Sequence, residues 1–454
     1  MLIKDDDCTS CLDDDACKES NSSTVAAEAA SVTAPSLSST NHTTTRPRLS
    51  PLEMEQRSVA ADLGGLCRLS VDAVDLTTQL VEAQHSRLDF FSNYFFPDRG
   101  VDRARNPIAA LVYNSIYGVN YVVGSILSLG LSAIEPLLGE TAPSVRKEAA
   151  LAILNGVVGD YLVEQHNPLA IPMQWRRLLW DHDHEVSVSV VSPSHGGRYL
   201  LLLHGSCNSP QDWWQEGHNH GLALSAALDY EPLFLHYNTG LHISENGQAL
   251  AVLIEELVQE QEHIDSLSIL AHSMGGLVAR SACSYAAQPD NNLTWLEKVE
   301  HLITLGTPHH GALLEQSGKL VDAVLGAHRF TEPLSWLGKI RSHGVTDLGY
   351  GNVREEDWLG HSGRDDTRKS TPLPASVKCM AIAAILGGTS SNRLLGESIR
   401  TDGLVTEASA LGRGDVNSAL NLEFEEQITF YNMGHFGLLS SKEVYTTILC
   451  YLSG

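Results

Sequence analysis

An apolar run, Leu267-Ser268-Ile269-Leu270, passes through Ala271-His272-Ser273-Met274-Gly275 straight into a helix-forming stretch, Gly276-Leu277-Val278-Ala279-Arg280. A chain turns this abruptly from strand to helix through a strained backbone position. Small residues two before and two after the serine let the two elements approach closely. The helix that starts after Ser273 aims backbone N–H groups and a positive dipole end at any negative charge forming there. The run has the sequence form of a nucleophile elbow, with Ala271 in place of the more usual first glycine.

The surrounding sequence predicts what that turn is built on. From about residue 185 strand and helix patterns alternate, which signals a mostly parallel sheet covered on both faces. The strand candidates are Glu185–Val191, Arg198–Leu203, Pro232–His236, Ser266–Leu270, Glu300–Leu305, Val377–Ile385 and Gln427–Tyr431. Helical patterns lie between them, such as Asn246–Gln261, where Leu250, Leu253, Ile254 and Leu257 form one apolar face; a terminal helix is predicted over Lys442–Leu452. The resulting fold class is α/β, a doubly wound sheet over 185–454. An irregular, charged stretch from about 312 to 374 reads as a lid-like insertion over the substrate pocket.

The first 184 residues have a different character. Residues 1–55 are rich in Ser, Thr, Asp and Ala and carry too little apolar surface to offset ordering entropy, so they read as a disordered acidic tail. Residues 56–184 read as a helical segment, with Ile108, Val112, Ile116, Val119, Val123, Ile126 and Ile134 mostly three or four apart. No charged side chain interrupts Asn106 to Ile134, a run long enough for a bilayer, yet Asn114, Asn120, Ser115, Ser125 and Ser128 dilute it. The favoured expectation is a packed cap, with attachment to a membrane surface as the competing one.

A net charge of −25 opposes nucleic acid as a partner. The start Met1-Leu2-Ile3-Lys4-Asp5-Asp6-Asp7 has no secretory pattern, so a cytoplasmic location is expected, with peripheral membrane association as its variant. The eight cysteines are then expected as free thiols. Cys8, Cys11 and Cys17 cluster without a fourth ligand at helpful spacing, so neither a metal nor an organic cofactor is expected.

A serine hydroxyl is a poor nucleophile until a base takes its proton and a third group orients that base. On a sheet of this kind the partners follow in the order nucleophile, acid, histidine, each in a loop after a strand. Asp402, in Thr401-Asp402-Gly403-Leu404-Val405, follows the apolar strand Cys379–Leu386 and is the preferred acid over Glu397, Glu407, Asp365 and Asp366. His435, in Asn432-Met433-Gly434-His435-Phe436-Gly437, leaves the last predicted strand and is the preferred base among 20 histidines. His309, His310, His328, His343 and His361 precede Asp402 and break the order, and His309 and His310, like His272, read as residues that shape a loop and line the pocket. The N–H of Met274 and that of Ser206, in His204-Gly205-Ser206-Cys207-Asn208, are the expected oxyanion donors, with Cys207 the weaker choice.

With Leu203-His204-Gly205, Ala271-His272-Ser273-Met274-Gly275-Gly276, Leu305-Gly306-Thr307-Pro308-His309-His310-Gly311, Asp402-Gly403-Leu404-Val405 and Gly434-His435, residues from about 185 resemble the α/β-hydrolase superfamily in its lipase and serine-esterase branch. The Leu-Gly-Thr-Pro-His stretch is similar to that of GPI inositol-deacylase-like esterases. The resemblance implies a Ser273–His435–Asp402 triad, an oxyanion hole at Ser206 and Met274, and hydrolysis of a small-molecule or lipid ester. Two alternatives stand beside it: an acyltransferase, thioesterase or amidase on the same scaffold, or an inactive, membrane-tethered binding protein.

Overall fold

The apolar run Tyr199–Leu203 explains the architecture. Successive side chains of a strand point to opposite faces, so a strand apolar at every position must be covered on both. In the computed structural model, Tyr199, Leu201 and Leu203 enter one core and Leu200 and Leu202 another. The structure describes residues 57–58, 62–75, 140–141, 145–181, 184–189, 197–260, 263–312, 342–359, 368, 370–387, 400–414 and 420–454.

Among the described residues, eight strands form the central sheet: β1 (Gln174–Asp181), β2 (His184–Ser189), β3 (Gly197–Leu203), β4 (Tyr230–His236), β5 (Ile264–His272), β6 (Val299–Leu305), β7 (Lys378–Ile385) and β8 (Glu426–Tyr431). Their spatial order is β2-β1-β4-β3-β5-β6-β7-β8. The six strands from β3 to β8 run parallel to one another, while β1 runs antiparallel to both β4 and β2. From β3 the chain moves to one side to form β4, then crosses to the other side to form β5. The carboxyl ends of β3 and β5 therefore flank a switch point, where open α/β sheets place their ligand crevice.

Helices α1 (Val145–Glu164), α2 (His220–Leu228), α3 (Ile243–Glu260), α4 (Met274–Ala286), α5 (His343–Tyr350) and α6 (Lys442–Ser453) surround this sheet. Leu250, Ile254 and Leu257 of α3 and Leu277 and Val278 of α4 fill one core, and Val444, Ile448 and Leu452 of α6 close the other. A shorter helix over 62–75 precedes them and meets the end of α1, where Asn167 Nδ2 donates to Gly65 O at 3.1 Å.

All seven expected strands are present within a few residues of their predicted bounds. The sheet nevertheless begins earlier than residue 185, because β1 lies inside the segment that reads as helical. Arg176 and Arg177 hide its alternation: Arg176 is buried, while Arg177 reaches an ion pair with Glu231 at 2.8 Å. The insertion also departs from an irregular stretch. Within it α5 buries Val345, Asp347 and Leu348, and Asp347 Oδ2 accepts hydrogen bonds from His242 Nδ1 and Ile243 N. Among the described residues no helix is long and apolar enough to cross a membrane. The run from Asn106 to Ile134, the 1–55 tail with its three cysteines, and residues 313–341 of the insertion lie outside the described residues.

Candidate active site

Ser273 joins β5 to α4 with φ 54° and ψ −122°, a backbone region that non-glycine residues rarely occupy. Neighbouring packing holds it there. Ser273 N donates to Leu305 O at 2.8 Å, which extends the β5–β6 ladder by one step. Gly275 lies so close to β3 that a Cβ on it would stand 2.5 Å from Leu203 O. The small residues expected around the serine are required by this contact between helix and sheet.

Asp402 and His435 come from the loops after β7 and β8 and meet, both buried: His435 Nδ1 lies 2.7 Å from Asp402 Oδ2. The other carboxylate oxygen, Oδ1, accepts the backbone N–H groups of Leu404 at 2.9 Å and Val405 at 2.8 Å. His435 N also donates to Asp402 O at 3.2 Å. The His435 ring reaches the Ser273 turn through Gly306, which follows Leu305: a Cβ at Gly306 would lie 3.0 Å from both His435 Nδ1 and Cε1. Ser273, Asp402 and His435 thus each stand in the turn or loop at the carboxyl end of a strand, β5, β7 and β8.

The loop after β3 approaches from the other side. A Cβ at Gly205 would stand 3.1 Å from that of Ser273. Cys207 N is occupied by Thr239 Oγ1 at 3.0 Å. The Ser206 N–H meets no acceptor among the described residues, and Met274 opens α4, where N–H groups lack intrahelical partners. Gly205, the residue before Ser206, and Met274 therefore both adjoin the serine.

Four histidines brace this region, of which sequence reasoning assigned a loop-shaping role to His272 and His309 and none to His204 and His220. His272 Nε2 donates to His435 O at 3.4 Å, and its ring centroid lies 4.7 Å from that of His435. His220 Nε2 donates to Leu438 O at 2.9 Å, tying down the turn that follows His435. His204 stacks on Tyr237, whose hydroxyl donates to His204 O at 2.8 Å. His309 turns inward beside Arg280 Nη1 at 3.3 Å. Their common sign is burial, which spacing alone does not reveal. Of the rival acids, Glu407 is engaged by Arg400 and Thr429, and Glu397, Asp365 and Asp366 lie outside the described residues, as do His328 and His361. His343 is exposed on α5, stacked on His242. No group of three potential ligands is placed to hold a metal among the described residues.

Burial pushes His204 and His220 down to about 4 and holds His272 well below its ordinary value. These rings stay neutral in the folded protein while the unfolded chain binds protons below about 6.5. The unfolded state then carries more protons, so stability falls as pH drops from about 6.5 towards 4. Each of His204 and His220 is expected to contribute about 3 kcal/mol to that loss by pH 4. Urea midpoints measured across this window should show it, and His220→Gln, which keeps a donor for Leu438 O, should flatten the curve.

Sheet order, the switch point and the position of the serine turn make this an α/β-hydrolase fold. A family model described as a PGAP1-like alpha/beta domain matches residues 195–333. No curated protein matches the chain. Among solved structures, the mature lipase BlEst2 of Bacillus licheniformis is similar at 21% identity over 57% of this chain and 95% of that one, with a TM-score of 0.35. The Staphylococcus hyicus lipase is similar at 13% identity over 58% and 97%, with a TM-score of 0.36. A lipase-esterase related protein from Clostridium acetobutylicum is similar at 13% identity over 58% and 96%, with a TM-score of 0.30.

Proposed function

We propose that the chain is a serine hydrolase that cleaves carboxylic esters, with lipid or other acyl esters as its substrate class. The observation that carries this reading is the buried His435–Asp402 pair brought against the strained turn of Ser273. In this reading Ser273 Oγ attacks the acyl carbonyl and His435 Nε2 takes its proton. Asp402 holds Nδ1 protonated and stabilises the imidazolium. The N–H groups of Ser206 and Met274 donate to the oxygen as it becomes negative. His435 then protonates the leaving alcohol, and water releases the acyl group from Ser273 by the same steps in reverse. The lipid preference draws on the sequence resemblance to lipases and on the lid-like insertion.

A fluorophosphonate probe tests the reading. It should form one adduct, on Ser273, in folded protein, and none after His435→Ala. An ester panel of graded acyl length should then give a turnover maximum that identifies the acyl class. Folded protein that forms no adduct would overturn the ester-hydrolase reading.

A further inference from the structure

We infer that α1 is a positioning element for the reaction at Ser273, holding the loop after β3 in register with the loop after β8. The inference rests on the ester-hydrolase reading. α1 breaks at Val158, where φ is −135° and ψ is 21°. A break in a helix frees carbonyls for partners outside it. Here Gly156 O accepts from Ser342 Oγ at 2.7 Å, and Gly159 O accepts from Asn238 Nδ2 at 2.9 Å. Asn238 directly precedes Thr239, the residue that accepts the Cys207 amide. The broken helix is thereby fastened to the same loop that holds the backbone beside Ser206.

The packing points the same way. A Cβ on Gly156 would lie 2.2 Å from Cys207 Sγ and 3.0 Å from Cys207 Cα, so α1 rests directly on the backbone next to the proposed oxyanion donor. One apolar cluster joins Ile153, Leu154 and Val157 of α1 to Cys207 and, at its margin, Phe436. Cys207 follows Ser206 and Phe436 follows His435, so the cluster that α1 builds takes in the neighbours of both groups. Oxyanion donors act only when about 2.7–3.1 Å from the developing charge. A displacement of about 1 Å in such a site lowers turnover about 100-fold. Bulk inserted at position 156 displaces Ser206 while leaving Ser273, Asp402 and His435 chemically intact.

Gly156→Ala places one methyl group at that contact. It is expected to lower kcat about 100-fold with KM within about threefold. Affinity for a trifluoromethyl ketone, whose serine adduct carries the oxyanion, should fall by the same factor as kcat/KM. The volume swap Gly156→Ala with Cys207→Gly removes the Cβ and Sγ that the methyl meets. Glycine also suits the φ of 58° at position 207. The double variant should recover to within about fivefold of Cys207→Gly alone. Ser342→Ala, which introduces no clash, should lower kcat several-fold at unchanged KM and covers the case in which Gly156→Ala does not fold. Wild-type kcat in folded Gly156→Ala, a loss that the swap does not restore, or wild-type kcat in Ser342→Ala would each overturn the inference. Fluorophosphonate labelling separates the two readings. Wild-type protein that fails to label removes the ester-hydrolase reading itself. Wild type and folded Gly156→Ala labelling Ser273 at equal rates removes only the role of α1.

Discussion

Ser273→Ala is expected to lower kcat for ester hydrolysis by about 10^6-fold while leaving the protein folded. The substitution removes one oxygen and keeps the Cβ, so the turn between β5 and α4 retains its packing against β3. Alanine inherits the same strained backbone, with φ at 54°, and Ser273 N still donates to Leu305 O at 2.8 Å. Stability should therefore match or slightly exceed that of the wild type, since catalytic polar groups are commonly held at a cost to stability. Residual catalysis, of the order of 10^3 over water, would come from the oxyanion donors and substrate binding. His435→Ala should cost about as much, and the double substitution little more than either, because the two side chains act as one unit. A steady-state assay beside a thermal melt checks all of this. Retention of more than about 1% of wild-type kcat in folded Ser273→Ala would sink the assignment of the nucleophile.

How much of this was legible in the sequence differed by element. The parallel strands β3, β5, β6 and β7 are apolar on both faces, so their runs stand out; Leu200–Leu203 has no exposed position to blur it. The serine turn was legible because helix–sheet contact demands small residues at fixed offsets from Ser273. The placement of Asp402 and His435 followed from strand order, since each lies in a loop at the carboxyl edge of the sheet. By contrast β1 was missed. It is antiparallel and carries adjacent arginines, and only its partners make sense of them. The contacts of His220 and of α1 were hidden for a different reason. His220 meets Leu438, 218 positions away, and Gly156 meets Cys207 through the absence of a side chain. Such contacts join residues that no local period relates, so only the folded arrangement displays them.

Asp402→Asn tests the electrostatic half of the site and is expected to lower kcat about 10^4-fold with little change in fold. The direction follows from the two oxygens of the carboxylate. Oδ2 accepts from His435 Nδ1 at 2.7 Å, while Oδ1 accepts two backbone N–H groups, from Leu404 and Val405. An asparagine must place its oxygen on one side and its NH2 on the other. Turning the NH2 towards Leu404 and Val405 would set it against two donors and leave buried N–H groups unsatisfied, a penalty of about 1–3 kcal/mol each. The amide oxygen therefore keeps the Oδ1 position, and the NH2 faces His435 Nδ1. Nδ1 becomes an acceptor, the proton moves to Nε2, and the imidazole can no longer take the proton of Ser273. The negative charge that stabilises the imidazolium is lost as well. Two readouts separate this from simple damage to the loop. The melting temperature should move by only a few degrees, because both amide bonds to the side chain survive. KM should stay close to wild type, because binding of the neutral ester does not involve the tautomer. Wild-type turnover in Asp402→Asn would show that another acid orients His435, and a large drop in melting temperature would place the importance of Asp402 in the loop instead.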